Sequence, residues 1–354
     1  MRRGLGLLAL IALAIAAALV PLPPPLVERW YSGAAYPVIQ RGLTPASSIL
    51  PLALLDVAVL GLLVAAVAFV VRRWRAGGAR TAVVDSIAGA LRSAAVLYLV
   101  FLFLWGLNYR RMPLEEKLDY DASRLTPAAI LRFGEVALER VNALHASSQR
   151  DAGTGAGAGL AAAFESAQRL LGAREGRTAA PAAPKRSIFT WYLVNAGIDG
   201  VMNPFFLEII LNPEILPMER PFSVAHEWAH LAGYADESEA NFVAWLTCAR
   251  ADANGQYSGW LEALRYTMGG LPRAERTRLQ QQLMPAVEDD LRAINERLGR
   301  ADPVVSGMAR NVYDAYLKSQ GVNEGIASYG AMLRLLVGTA FENGWVPRRR
   351  LTHP

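Results

Sequence analysis

The chain has 354 residues, a net charge of +5 and a hydrophobic fraction of 53%, and its mean hydropathy is +0.21. These values exclude an ordinary soluble domain and also a chain that lies wholly in a bilayer, so we expect a membrane part joined to a water-soluble part. Cys248 is the only cysteine, which excludes a disulfide scaffold. The arginines flank apolar runs, which favours membrane topology and predicts no nucleic-acid partner.

Three apolar runs near the amino terminus approach or reach the length of about 20 residues that a helix needs to cross a bilayer. They cover residues 4–20, 50–71 and 87–107. The second contains one charge, Asp56, and the third contains one, Arg92. Both charges stand near the ends of their runs, where side chains reach the interface. We therefore predict three transmembrane helices in a membrane region of residues 1–107, with the lipid bilayer as a partner.

Arginines set the predicted orientation, because cytoplasmic loops carry an excess of Lys and Arg. Two precede the first run, and four fill the loop between the second and third: Arg2 and Arg3, then Arg72, Arg73, Arg75 and Arg80. The loop of residues 21–49 then lies outside, and so does an extracytoplasmic, periplasmic domain over residues 108–354. We predict a multi-pass protein of the inner (plasma) membrane. A cleaved signal peptide in place of the first anchor is an alternative that leaves the domain on the same side.

The second half has a mainly helical pattern with a small β-sheet. Thr126 and Pro127 predict a helix start, and the helix runs to about Ser148. Flexible, low-complexity loops are expected near 151–159 and 178–184. A short helix is expected at 160–171 and strands at 187–194 and 205–211. Further helices are predicted at about 222–232, 237–251, 258–268, 273–298, 304–319 and 324–342.

The sharpest motif is HExxH at residues 226–230, within a predicted helix. The spacing of four places His226 and His230 on one helical face, where both can bind one zinc ion. Glu227 lies beside them and can take a proton from water held at the metal. The motif predicts a zincin-like domain, meaning a metallopeptidase domain built around this helix.

Catalytic zinc usually has three protein ligands, so a third should stand nearby. The continuation contains Gly233, which allows a tight turn, and then three acidic candidates: Asp236, Glu237 and Glu239. Glu237 is the preferred ligand because Glu237, Ala240 and Asn241 resemble the glutamate-ligand pattern of gluzincin metallopeptidases. Asn241 shares a helical face with Glu237, and we expect it to orient a ligand by a hydrogen bond. Asp236 fits an aspartate-ligand pattern, but it also fits a helix cap in a capping box with Glu239. Glu239 and Asp236 therefore remain alternatives.

Nearly the whole chain resembles a bacterial domain-of-unknown-function family, DUF3810. The resemblance is carried by three amino-terminal apolar runs and by the segments 36–40 (YPVIQ), 105–109 (WGLNY), 226–233 (HEWAHLAG), 237–242 (ESEANF) and 313–318 (YDAYLK). It implies a membrane-bound zinc metallopeptidase whose substrate is not defined. The glutamates belong to the family pattern, which supports Glu237 or Glu239 over Asp236 as the third ligand.

The leading functional prediction is a membrane-bound, Zn²⁺-dependent metallopeptidase that hydrolyses a peptide or protein substrate, with Glu227 as general base. The predicted strand at 205–211 is a candidate to accept an extended peptide by edge pairing, or else an ordinary core strand. The oxyanion stabiliser is not identified, and Tyr234, Tyr313 and Tyr316 are candidates. The alternatives are a non-catalytic membrane protein with a structural zinc site and an intramembrane zinc protease. Charges around His226 argue against the latter.

Overall fold

The computed structural model describes residues 2–151, 157–320 and 332–350. In these residues the protein is mainly helical with small sheets, as the sequence predicts. The first part contains α1 (Arg2–Leu19), α2 (Pro24–Leu26), a π-helix (Val27–Ala35), α3 (Tyr36–Ser48) and α4 (Leu54–Leu104). Short helices follow at Gly106–Arg110 (3-10), Leu114–Lys117 (α5) and Ala122–Arg124 (3-10).

The remaining elements form the second half. The helices are α6 (Pro127–Asp151), α7 (Gly157–Leu170), α8 (Thr190–Ala196), α9 (Arg220–Leu231), α10 (Glu237–Cys248), α11 (Ala253–Gly270), α12 (Arg273–Gln280), α13 (Pro285–Gly299), α14 (Pro303–Ser319) and α15 (Met332–Gly338). The strands are β1 (Pro184–Lys185), β2 (Gly200–Asn203), β3 (Glu208–Leu211), β4 (Phe341–Glu342) and β5 (Val346–Pro347).

Within the described residues, α4 is the one helix that is by itself long and apolar enough to cross a membrane. The count rises to two if α1 and the helical segment Pro24–Ser48, which meet at a bend of 104°, are taken as a single broken span. Three separate spanning helices are therefore not shown. Most of the second and third predicted runs falls within α4.

The helix α4 is broken at Gly78, whose φ is +74° and ψ is −177°. Arg73 and Asp85 form an ion pair of 3.1 Å across the break, and a Cβ atom at Gly89 would lie 3.6 Å from the ring of Phe69. In a straight helix, residues 20 positions apart would be about 30 Å apart. The chain therefore reverses at Gly78, and the two halves of α4 lie side by side.

The segment of residues 21–49, expected as a loop, is mostly helical and packs against the second half. The Tyr36 hydroxyl donates to the carbonyl of Leu231 at 2.7 Å, and the Thr44 hydroxyl donates to the carbonyl of Leu207 at 2.8 Å. Tyr36 is 1% exposed. Partners more than 160 residues away decide this conformation, so the local sequence does not reveal it. The hydrophobic core consequently continues across residue 107.

The three-stranded sheet has the order β1-β3-β2, with β1 parallel and β2 antiparallel to β3. The strand predicted at 205–211 is confirmed over Glu208–Leu211, but it is the central strand and its edges are already paired. The strand predicted at 187–194 is wrong, because α8 occupies most of it. The Asp56 carboxylate accepts hydrogen bonds from the Ser187 hydroxyl and the Ile188 amide, and this long-range contact fixes a turn ahead of the helix.

Two other predicted helices have different bounds. The helix expected at 273–298 is divided into α12 and α13, because Pro285 stands in the first turn of α13, where its missing amide proton is no loss. The helix expected at 324–342 falls partly on residues outside those described; Phe341–Glu342, at its end, is a strand paired with β5. Of the expected loop at 151–159, residues 152–156 are outside the description and Gly157 already begins α7.

Candidate metal centre

The helix α9 carries both histidines of the motif. Its first turn contains Pro221, and its buried face packs against α10 and the sheet. His226 and His230 are one turn apart, and their Nε2 atoms face each other at 3.1 Å. The rings are perpendicular, with centroids 4.7 Å apart. The sequence spacing therefore brings both imidazoles to one point.

A tight turn leads from α9 to α10. Gly233 has a φ of +80°, and a Cβ atom there would lie 2.7 Å from the Asn108 side-chain oxygen, so both the backbone angle and the contact require glycine. The Asp236 side chain then caps α10 by accepting from the amides of Ser238 at 2.9 Å and Glu239 at 3.2 Å. The turn and the cap together set where α10 begins and which way its first side chain points.

Glu237 is the acidic candidate that the structure brings to the histidines. Its Oε2 lies 3.3 Å from Nε2 of His226 and 3.6 Å from Nε2 of His230. Glu239 points elsewhere, and its Oε1 accepts from the Leu114 amide at 2.5 Å. Asp236 is occupied as the cap. These placements separate the three carboxylates that the sequence left as alternatives.

Hydrogen bonds on the far side of each ring orient the imidazoles. The Nδ1 atom of His226 is 2.8 Å from the side-chain oxygen of Asn241, and Nδ1 of His230 is 2.7 Å from the carbonyl of Tyr234. Both partners are oxygens that accept, so each Nδ1 carries the proton and each Nε2 of a neutral ring presents a lone pair. Asn241 is held in turn by the Tyr266 hydroxyl at 3.1 Å.

The three groups can hold a metal ion, since one ligand atom from each of His226, His230 and Glu237 lies within 4.8 Å of the others. Glu237 is 2% exposed, and its Oε2 has no hydrogen-bond partner within the described parts of the chain. Two lone pairs and a buried carboxylate oxygen that converge in this way repel one another unless a cation lies among them. The donor set therefore fits a metal ion.

The pKa shifts of His230 and Glu237 agree with this interpretation. Burial lowers the pKa of His230, but the Glu237 carboxylate outweighs it and raises that pKa to about 9. Burial raises the pKa of Glu237, and the imidazoles of His230 and His226 outweigh it and hold the pKa well below its usual range. The pocket thus attracts positive charge, whether a proton or a metal ion.

Glu227 lies beside the histidines and is 4% exposed. A Cβ atom at Gly200 would lie 2.5 Å from its Oε1, so β2 can approach this carboxylate only because residue 200 is glycine. The other oxygen, Oε2, has no hydrogen-bond partner among the described residues. Burial raises the pKa of Glu227, while the imidazoles of His226 and His230 oppose that shift. Such a carboxylate is suited to accept and release a proton.

The tyrosine candidates divide into two groups. The Tyr313 hydroxyl donates a hydrogen bond to Oε1 of Glu237, and the ring of Tyr316 stacks on that of Tyr313, with centroids 6.1 Å apart. Both line the cavity in front of the histidines. Tyr234 does not, since its ring is covered by the Arg111 guanidinium at 4.5 Å. It serves the site through its backbone carbonyl instead.

Sequence reasoning missed several contributors. The Trp105 indole donates to the carbonyl of His230 at 2.9 Å, and Gly200 and Tyr266 approach the site from β2 and α11. Trp105 belongs to the 105–109 segment that carries the family resemblance, so the sequence marked this residue without indicating what it does. Nothing in the local sequence of Gly200 or Tyr266 marks either residue.

A cavity of about 720 Å³ opens in front of the metal-binding group. Its lining is largely apolar and aromatic and includes Met202, Met218, Phe222, Leu261, Tyr266 and Ile294. Five acidic side chains also line it: Asp199, Glu219, Glu227, Glu237 and Glu262. Arg297 pairs with Asp199 at 2.9 Å and with Glu219 at 2.6 Å. The volume is in the range of pockets that bury a small molecule or a few residues of a peptide.

Comparison with known proteins gives one match. A family model described as "Protein of unknown function (DUF3810)" matches residues 31–337, a range that contains the metal-binding group, the cavity and α4. No curated protein matches the chain, and neither does any solved structure. Because the match covers most of the sequence, the chain belongs to the DUF3810 family.

Proposed function

We propose that this protein is a membrane-anchored, zinc-dependent metallopeptidase with a zincin-like domain. The observation that carries the proposal is the group of His226, His230 and Glu237 with the free carboxylate of Glu227 beside it, all facing one cavity. Two imidazoles and one carboxylate form a ligand set typical of catalytic zinc, which leaves a coordination position open. Nitrogen donors favour zinc over magnesium or calcium.

The roles of the side chains follow from their positions. Zinc, when bound, would supply a Lewis acid that lowers the pKa of a water molecule to about 7. Glu227 would take the proton of the attacking water, because its Oε2 has no competing hydrogen bond within the described residues. The same carboxyl group would then pass that proton to the leaving amine. Tyr313 would hold Glu237 in place through its hydroxyl.

A substrate peptide has an edge strand available. In the sheet, β2 is an edge strand whose partner is β3, and Gly200, Val201 and Met202 line the cavity next to Glu227. An extended peptide could add to this edge by main-chain hydrogen bonds. The central strand β3 cannot play this part, so the binding edge that we propose is β2.

The membrane arrangement is also a proposal. The reversal of α4 at Gly78 supports two crossings in place of one, and Arg72, Arg73, Arg75 and Arg80 all lie near that turn. A cytoplasmic turn would satisfy the excess of arginine. The helix α1 would supply the third crossing. The metal-binding group would then lie outside, on the periplasmic face of the inner membrane.

A structural zinc site is the competing function, and two observations disfavour it. Structural sites have four protein ligands and usually use cysteine, whereas the group found among the described residues has three ligands and no thiol. Cys248, the only cysteine, is fully buried in the core. Glu227 would also have no role. An intramembrane protease is disfavoured because the cavity is lined by five carboxyl groups.

The proposal is tested by measuring zinc content and hydrolysis of a pool of unstructured peptides on the purified full-length protein. His226→Ala should lose zinc and activity, whereas Glu227→Gln should retain zinc and lose activity, because the first is a ligand and the second a base. His145→Gln is the matched control, since His145 pairs with Asp290 at 3.4 Å and lies outside the metal-binding group. Loss of zinc in Glu227→Gln would contradict the assigned role.

A further inference from the structure

The second half of the molecule has an unusual distribution of exposed apolar side chains. From residue 108 onward, the large apolar side chains that are exposed in the described residues are Ile188, Phe189, Trp191, Tyr192, Met284, Val304, Met308 and Val312. All except Met284 lie on α8, on the turn before it, or on α14. These seven residues are called the α8–α14 patch below. Apolar surface concentrated in this way marks an interaction site.

The two parts of the patch are neighbours. The Asp302 amide, at the cap of α14, donates to the carbonyl of Asn195 in α8 at 2.9 Å, and a Cβ atom at Gly197 would lie 3.2 Å from that of Ala301. Val304, Met308 and Val312 follow each other at intervals of four and are 68%, 65% and 70% exposed. They therefore form one stripe along α14.

The patch begins beside the first turn of α4. The Asp56 carboxylate accepts from the Ile188 amide at 2.8 Å, and the Ala53 amide donates to the carbonyl of Arg186 at 3.2 Å. Residues just before α4 are themselves apolar and exposed, such as Leu52 at 64%. The Ile188 end of the patch thus adjoins the exposed apolar surface at the start of α4, so whatever covers the start of α4 also reaches the patch.

The cavity opens within this patch. Tyr192 and Val312 line the cavity, and both are also exposed, so the rim passes between α8 and α14. Trp105 and Tyr109, which follow the end of α4, line the same cavity. The approach to His226 and His230 is therefore framed by the ends of the apolar helix and by the patch.

We infer that the α8–α14 patch seats the cavity mouth in the outer boundary of the bilayer that α4 crosses, so that the substrate is a polypeptide segment held at that bilayer surface. This inference rests on the proposed function and specifies its substrate class. Apolar side chains next to a spanning helix gain free energy by entering the interfacial region. A substrate confined to the same surface also meets the site at a high effective concentration.

The seating of the patch can be measured without reference to activity. Because Cys248 is fully buried, single cysteines introduced by Met308→Cys, Met284→Cys and Val64→Cys can carry nitroxide labels in the full-length protein in vesicles. We expect the label at 308 to be accessible to oxygen and shielded from a water-soluble nickel complex, and the label at 284 to show the reverse. Val64 lies in α4 and reports whether the protein is inserted. An inserted protein whose label at 308 is as nickel-accessible as the one at 284 would overturn the inference.

The substrate class is tested with one peptide sequence in two forms, free in solution and tethered to the vesicle by a transmembrane anchor. Neither Trp191 nor Met308 lines the cavity, so Trp191→Ser with Met308→Ser should leave hydrolysis of the free peptide unchanged. It should slow hydrolysis of the tethered peptide by roughly tenfold or more, because the variant removes two apolar side chains and full burial of even one is worth about that factor. Met284→Ser is the control and should affect neither form. If the wild type and the variant each hydrolyse the tethered peptide at the same rate as the free peptide, the proposed substrate class is wrong. If the wild type hydrolyses neither form, the proposed peptidase function fails, and the label depths still decide the seating.

Discussion

At the scale of single residues, the role of each acidic side chain at the site depends on the hydrogen bonds that it already accepts. The Asp236 carboxylate accepts hydrogen bonds from two backbone amides, and the Glu239 carboxylate accepts one from the Leu114 amide. Glu237, between them, is the first residue of α10 and has one oxygen bonded to Tyr313 and one facing the imidazoles. Three acidic residues within four positions therefore have three different roles, because a helix start points successive side chains in different directions.

This division predicts how variants of the acidic segment rank in metal binding. Glu237→Gln should lower zinc retention strongly, whereas Glu239→Gln should retain zinc because its carboxylate does not face the histidines. Asp236→Ala should cost about 1 kcal/mol of stability through loss of the cap and keep the metal. Asn241→Ala should fall between, with a loss of roughly 10- to 100-fold in affinity, since it orients His226. Zinc content after dialysis against a weak chelator, read beside the melting temperature, ranks the four. An Asp236 variant that loses zinc while the Glu237 variant keeps it would favour the aspartate-ligand arrangement.

The residues that sequence analysis identified are those whose relation is local. The spacing of the two histidines and the shared face of Glu237 and Asn241 follow from helical periodicity. The cap at Asp236 follows from the capping-box spacing of Asp236 and Glu239. Trp105 and Tyr313 could not be placed, because their contacts to His230 and Glu237 span 125 and 76 residues. Such contacts depend on how whole elements pack, which no local pattern encodes.

At the scale of elements, the amino-terminal part holds the end of the site helix. The last carbonyls of a helix have no hydrogen-bond donors within the helix. Here, side chains from distant elements donate hydrogen bonds to them. The Trp105 indole donates to the carbonyl of His230, and the Tyr36 hydroxyl donates to that of Leu231. In the turn that follows, Arg111 donates to the carbonyl of Gly233 at 2.8 Å. The amino-terminal segments are therefore part of the support of the candidate metal centre, which explains why the core continues between the two halves.

The contact between α5 and α10 predicts a pH dependence of stability. Burial raises the pKa of Glu239 to about 7, although Lys117 opposes the shift. Because the pKa of Glu239 is higher in the folded state than in the unfolded state, the protonated carboxyl group stabilises the fold. This stabilisation is complete below about pH 4.5 and is lost as the pH rises to about 7. Glu239→Gln stays neutral and still offers an oxygen to Leu114, so it should not show this loss. As the pH rises from about 4.5 to about 7, the unfolding free energy of the wild type should therefore fall relative to that of Glu239→Gln. A difference that is constant with pH would contradict the assignment.

Element types were more predictable than element bounds. The cap at Thr126, the helices around the motif and the strand at Glu208–Leu211 follow from patterns that the sequence displays. The helical α8 does not, since Ile188, Trp191 and Tyr192 have a high strand propensity and a contact to Asp56 overrides it. The helix predicted at 273–298 is divided, because proline is favoured in a first turn and a new helix starts at Pro285.

At the scale of the whole molecule, composition predicts a membrane part, and among the described residues α4 is by itself long and apolar enough to cross a membrane. Hydropathy located the apolar runs at 50–71 and 87–107, yet it could not show that they belong to one helix that reverses at Gly78. The turn is set by a backbone angle that only glycine adopts easily. A hairpin of this kind brings the start of α4 near its end. Those two ends then carry Asp56, which anchors the turn before α8, and Trp105, which contacts the metal centre.

This arrangement makes a topological prediction that is independent of the chemistry. A hairpin with arginines at its turn should keep that turn in the cytoplasm, because basic loops are retained there. Alkaline phosphatase inserted at Gly77 should therefore be inactive and a fluorescent protein at the same position should be bright. The same two reporters placed after Pro354 should give the opposite result, since the three crossings that we propose would export the second half. Replacing Arg72, Arg73, Arg75 and Arg80 together by Gln should weaken the contrast, whereas replacing Arg273, Arg276, Arg278 and Arg292 should not, because those arginines lie far from any crossing. Cytoplasmic behaviour of the carboxy-terminal fusion would place the metal centre inside the cell and would remove the basis for a periplasmic peptidase.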